Sequence, residues 1–155
     1  MTSSASNQPT SNQPTADRTA SDRAAVEQLL ATYNMAIDLG DIDTWVSCFT
    51  DDGEFVCDGL PEGAPLGGLH RGKDALHAYG RTHYGINKGR ARHWNWNLLL
   101  DVDGDTATLQ CYLNACSAGQ GDSATLRSTG IYRDRLVRTA DGWRFRRRHV
   151  TIDPA

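Results

Sequence analysis

Apolar residues recur at helical spacing near the start of the chain. Val26, Leu29, Leu30, Tyr33 and Ile37 fall on one stripe of a 3.6-residue repeat. The pattern predicts a helix running from Ser21, placed as its N-cap, to Leu39, with Gly40 supplying the C-cap. Asp22 then lies in the first turn, where a carboxylate favours the helix dipole. Asp41 can cap a second, short helix through Ile42, Trp45, Val46 and Phe49. Thr50-Asp51-Asp52-Gly53 reads as a turn and Glu54 to Cys57 as a strand. Residues 58–72 are rich in Gly and Pro and predict a long loop holding at most a short strand. Lys73 to Tyr84 is helical, with Ala75, Leu76 and Tyr79 on one side. From Arg90 onward the period changes to two. Strands are expected at 92–101, 106–117, 124–138 and 143–152, with turns at Asp103-Gly104-Asp105, at Gly119 to Asp122 and at Ala140-Asp141-Gly142. Helices followed by a run of antiparallel strands make an α+β arrangement, in which a curved sheet and its helices can enclose a pocket.

Residues 1–20 break this patterning. Ser6-Asn7-Gln8-Pro9-Thr10 repeats directly at Ser11 to Thr15, and no large apolar residue follows Met1. Such a segment buries too little surface to offset the entropy of ordering it, so it is expected to be a disordered tail ahead of one domain at 21–155. The tail accounts for much of the modest hydrophobic content, 39% over 155 residues. A net charge of −3 argues against a general affinity for nucleic acid. No stretch approaches the roughly 18–20 apolar residues of a membrane span, and the N-terminus lacks the basic and apolar segments of a secretory signal. Cys48, Cys57, Cys111 and Cys116 form no CxxC pair and have no His at zinc-finger spacing. They are expected to be reduced thiols of a cytoplasmic protein.

Residues two apart on a strand face the same way. In Arg92 to Asn97 one face carries His93, Asn95 and Asn97 and the other carries Arg92, Trp94 and Trp96. On the paired strand Gln110, Tyr112 and Asn114 share a face opposite Cys111, Leu113 and Ala115. Each polar set either lines a cavity or is the solvent side of an amphipathic sheet. His93 is the best acid–base candidate, because imidazole titrates near neutral pH. Asp38, at the edge of the first helix's apolar stripe, is a candidate to orient it. Tyr33, on the stripe, can aim its hydroxyl into a cavity. His149 shares an alternating face with Phe145, Arg147 and Thr151 and can reach a pocket mouth. His77 and His83 are six apart and share no helix face as a metal pair would. No metal motif is present, nor a phosphate-binding glycine loop. Eight of the sixteen basic residues lie between Arg127 and Arg148 and read as a solvated sheet face or a salt-bridge ladder.

The stretch around Val26 to Phe55 resembles the opening of the nuclear transport factor 2-like superfamily, in particular its SnoaL-like branch that includes scytalone dehydratase and bile acid dehydratase. The resemblance rests on Tyr33 with Asp38, Gly40-Asp41, Trp45, and Phe49-Thr-Asp-Asp-Gly53-Glu-Phe55. It continues in Gly72-Lys73-Asp74, Arg92-His93-Trp94 and Trp143. It implies a cone-shaped barrel, a curved antiparallel sheet wrapped around the long first helix, with two further helices and a deep apolar pocket. Homodimers through the outer sheet face are common among such proteins. Carried over, Asp38 orients His93, Tyr33 polarises a substrate oxygen and Asn114 hydrogen-bonds the substrate. Tyr112, Asn95, Trp45 and His149 complete the binding residues, both polar strand faces turn inward, and His70, His77 and His83 stay unassigned. The implied activity is a dehydratase or isomerase without a cofactor or metal, acting on a hydrophobic cyclic molecule such as a polyketide or steroid-like compound. A SnoaL-like cyclase or hydroxylase and a non-catalytic binding module are the alternatives.

Overall fold

The computed structural model describes residues 16–119 and 123–154. The chain runs α1 (Ala16–Leu39), α2 (Ile42–Ser47), β1 (Phe49–Asp58), β2 (Gly68–Arg71), α3 (Gly72–Asn87), β3 (Ala91–Asp103), β4 (Thr106–Ser117), β5 (Thr125–Thr139) and β6 (Gly142–Ile152). The strands form one six-stranded sheet in the order β2-β1-β6-β5-β4-β3. It is mixed rather than purely antiparallel, because β1 runs parallel to β6. The three helices pack on one face to give the expected α+β cone. None of them is long and apolar enough to cross a membrane.

The helical stripe behaves as its spacing predicts, and Val26, Leu29, Leu30, Tyr33, Ala36 and Ile37 are all buried. They meet the sheet's inner face, where Phe55, Cys57, Leu109, Cys111, Leu113, Tyr132, Leu136, Phe145 and Val150 close a single core. Gly40, at φ +83°, ends α1, and its N–H and that of Asp41 both donate to the Ala36 carbonyl. The start of α1 differs from expectation. The helix begins at Ala16, so Ser21 lies inside it rather than capping it. The proposed tail falls, over residues 1–15, outside the described residues, as do residues 120–122 of the expected turn after Gly119.

Asp22 lies past the first turn of the longer helix and is buried. Its Oδ1 accepts from Arg138 Nη2 at 2.7 Å and from the Trp143 indole N–H at 3.3 Å, tying the first half of α1 to the β5–β6 hairpin. The turn expected at Thr50 to Gly53 lies within β1, as an irregularity in its pairing with β6 between Phe49 and Glu54. Two further irregularities matter for the site. β3 carries a bulge between Trp96 and Leu99, with Asn97 at φ +56°. β6 carries an extra residue at Arg146, so that Phe145 pairs with Leu136 but Arg147 pairs with Arg135. A bulge moves every later side chain to the other face relative to simple alternation.

Asp22→Ala leaves a buried indole N–H and one guanidinium N–H without their acceptor. It is expected to lower stability by about 1–3 kcal/mol, read as the shift in urea midpoint. An unchanged midpoint would show that this contact does not hold the helix.

Candidate active site

The last two turns of α1 place Asn34 and Asp38 four residues apart on one helix face. That face lies against β3, the edge strand, whose outward N–H groups have no partner strand. Asp38 is 4% exposed, and a buried carboxylate needs hydrogen-bond donors. It finds two on one residue. Oδ2 accepts the backbone N–H of His93 at 2.8 Å, and Oδ1 contacts His93 Nδ1 at 2.5 Å. With a carboxylate as acceptor, Nδ1 carries a proton, and in a neutral ring the lone pair would lie on Nε2. The two expected partners are therefore clasped, an arrangement from which a general base can be built.

One turn back along α1, Asn34 Nδ2 donates to Asn95 Oδ1 at 2.9 Å. Asn34, Asp38, His93 and Asn95 together line a cleft of about 430 Å³ between α1 and β3, with Leu30, Met35 and Leu98 as its apolar wall.

On its other side the His93 ring meets His83 of α3, at 5.4 Å between centroids. His83 is buried beneath Tyr79, whose ring stacks at 6.2 Å. Burial, and secondarily the neighbouring His93, lower its pKa to about 4, so it is neutral at pH 7. His83 has no role assigned from the sequence, although α3 carries the signal. Leu76, Tyr79, Gly80 and His83 recur at three- and four-residue spacing and are the buried face of that helix. His70 extends the same row of rings, 4.8 Å from Tyr79. His77 faces outward toward Asp43, at 3.6 Å. Among the described residues no group of three or more His, Cys, Asp or Glu is placed to hold a metal ion.

Five expected site residues lie elsewhere. Tyr33 belongs to the core, its ring packed on Trp45, Phe49 and Phe145 with the Arg148 guanidinium 4.3 Å away. Burial holds its phenol well above the usual range, and the cleft wall does not include it. Trp45 is fully buried and stacks at 5.5 Å behind Tyr79, as a support rather than a contact surface.

Asn114 and Tyr112 stand on the opposite face of the sheet from His93. Counted from Asp103 opposite Thr106, an unbroken hairpin would set Asn95 against Asn114. The bulge at Asn97 slips that register by one, so Trp94 opposes Asn114, Trp96 opposes Tyr112 and Asn95 opposes the core residue Leu113. Directly opposed residues share a face, and Trp94, Trp96 and Tyr112 are accordingly exposed. His149 is likewise turned outward by the extra residue at Arg146, and its Nε2 contacts Asp58 at 2.7 Å.

A family model for the SnoaL-like domain matches residues 18–149. The chain belongs to the SnoaL-like family. Solved structures share its fold. Rv3472 of Mycobacterium tuberculosis, a protein of unknown function, is 29% identical, with a TM-score of 0.78 over 92% of this chain and 78% of that one. A nuclear transport factor 2-like protein from Novosphingobium aromaticivorans is 26% identical, with a TM-score of 0.75 over 87% and 84%. A protein from the same organism, provisionally named a scytalone dehydratase, is 22% identical, with a TM-score of 0.68 over 90% and 89%. Comparison with curated proteins finds no match.

The SnoaL-like cone thus buries a histidine that must stay neutral, and this has a sign in pH. An unfolded His83 regains a pKa near 6.5 and binds its proton more readily than the folded one. Its contribution is fully present above about pH 6.5 and is lost as pH falls toward 4. Between pH 7.5 and 5 the wild type is expected to lose about 2 kcal/mol more stability than a His83→Asn variant, measured by urea unfolding at both pH values. Parallel losses would show that His83 is not held neutral.

Proposed function

We propose that this SnoaL-like protein is an acid–base enzyme without a cofactor, a dehydratase or isomerase acting on a hydrophobic cyclic small molecule. The observation that carries the reading is the double clasp of Asp38 on His93, which fixes the ring and leaves Nε2 as the base. The apolar wall of the adjoining cleft supports the substrate class.

In this reading His93 Nε2 removes a proton from carbon next to a carbonyl. The electron pair moves onto the carbonyl oxygen, and the Asp38 carboxylate stabilises the imidazolium that forms. The neutral imidazole of His83, packed against His93 on the side away from the cleft, keeps a second positive charge from forming beside that imidazolium. Collapse of the enolate expels a β-hydroxyl group, which takes the proton from Nε2 and leaves as water. Return of that proton to a different carbon gives an isomerase instead. Nothing is oxidised or reduced in either case.

Partnering follows from the outer sheet face. Trp94, Trp96 and Tyr112, each about half exposed, adjoin one another there, and an aromatic patch of this kind marks an interaction site. A second copy of the chain is the proposed occupant, because isologous dimers are the commonest assembly. The four cysteines are free thiols, which fits the reducing conditions of a cytoplasmic enzyme.

The enzyme reading is tested with a panel of cyclic β-hydroxy ketones, following loss of water or double-bond migration by mass spectrometry and NMR. On a compound that turns over, His93→Ala and Asp38→Asn are each expected to lower kcat/KM about a hundred- to ten-thousand-fold while keeping the native circular dichroism spectrum. Full activity in either variant would remove the dyad. For the assembly, sedimentation velocity of Trp96→Glu is expected to give a monomer where the wild type gives a dimer. A monomeric wild type would refute the partner.

A further inference from the structure

Arg148, on β6, is fully buried. Its guanidinium lies over the rings of Tyr132 at 3.8 Å, Tyr33 at 4.3 Å and Phe145 at 4.7 Å. Nη1 pairs with Asp134 at 2.9 Å, and Nη2 donates to Asn95 Oδ1 at 3.1 Å. A guanidinium has donors only. The Asn95 amide therefore cannot flip, and its oxygen must face Arg148. Its Nδ2 accordingly donates away, to the Tyr112 carbonyl at 3.2 Å. Asn34 is fixed in turn. It must offer Nδ2 to the same Asn95 oxygen, which leaves its own Oδ1 as a buried acceptor without a donor among the described residues.

We propose that this amide pair, with its polarity set by Arg148, is the element with which the cleft reads a hydroxyl group on its ligand. Asn34 and Asp38 are one helical turn apart, and Asn95 and His93 are two residues apart on one strand. The amide contact is thus a second rung parallel to the Asp38–His93 rung, in the wall of the same cleft. An acceptor buried without a donor is costly to keep, and a hydroxyl on the ligand satisfies it. Oδ1 lies behind the cleft surface. Access takes a side-chain movement of Asn34 or of the cleft residues in front of it. Arg148 is a positioning residue in this scheme, because it acts on the ligand through Asn95 and Asn34.

The inference rests on the cleft being the ligand site but not on turnover, so it is tested by binding. Full-length protein is titrated by calorimetry with 2-naphthol and with 2-methoxynaphthalene, which differ only in having the hydroxyl or its methyl ether. The wild type is expected to bind the naphthol at least about tenfold more tightly, since sites built to hydrogen-bond a hydroxyl discriminate against analogues without one. Asn34→Leu should reduce that ratio to under about threefold. Asn95→Asp, which still accepts from both Asn34 and Arg148, should retain the preference, whereas Asn95→Leu should lose it. This pair decides the matter if Asn34→Leu does not fold. Equal or undetectable binding of both compounds by the wild type, or an unchanged ratio in the leucine variants, overturns the inference. A preference that is lost in His93→Ala but kept in Asn34→Leu would assign hydroxyl recognition to the imidazole and overturn the inference, while failure of turnover with the ratio intact would count against the enzyme reading alone.

Discussion

The site depends on one buried carboxylate. Asp38 lies near the C-terminal end of α1, where the helix dipole disfavours negative charge, and it is withdrawn from water. Neither condition is tolerable unless strong donors surround it. Both donors come from His93, one from its backbone and one from its ring. That single residue therefore fixes the edge strand against the helix and sets the tautomer of the ring. Edge strands carry unpaired N–H groups that invite unwanted pairing. Here one such group is consumed by the catalytic candidate itself, so the contact that protects the edge also orients the imidazole.

Much of the fold was legible from periodicity alone. The stripe Val26, Leu29, Leu30, Tyr33, Ile37 is buried as its spacing demands, and the switch to period two marks β3 through β6. The Asp38–His93 pairing was accessible as well, from residue type and from the resemblance together. What was hidden was side-chain direction beyond a bulge. Alternation is a parity, and one inserted residue reverses it. Asn97 and Arg146 each insert one, and between them they separate Asn114, Tyr112 and His149 from His93. Nothing in the local composition distinguishes Asn97 from its neighbours, since the bulge is a property of how two strands pair. For β4 taken alone, the plain amphipathic rule gives the observed answer. Cys111 and Leu113 face the core, and the polar set faces out.

Burial of charge is the other feature that composition concealed. Asp22, Asp38, Asp134 and Arg148 are all buried, although the basic run reads as a solvated sheet face or a salt-bridge ladder. The basic run at Arg144 to Arg148 does mostly pair at the outside, with Arg147 on Glu54 and Arg146 on Asp52. The shift of phase at Arg146 turns one member of the run, Arg148, into the core. A run of arginines on a strand thus does not assign a face until its pairing is known.

The buried cation also accounts for the division of labour along the cleft. An arginine enclosed by aromatic rings keeps its charge, since its pKa lies beyond any physiological proton concentration, and it can only donate. Its influence passes outward through groups that have both a donor and an acceptor, and amides transmit such an order without ionising. A histidine in place of Asn95 would transmit it only in one tautomer and would titrate. The ionic rung, Asp38 with His93, has the opposite requirement. In the proposed reaction it must change protonation state, and it consists of groups that can. Placing the two rungs one helical turn apart lets a proton move at one position while hydrogen-bond polarity stays fixed at the next. With buried His83 held neutral beside His93, the positive charge of the proposed reaction would form on the one ring that Asp38 is placed to stabilise.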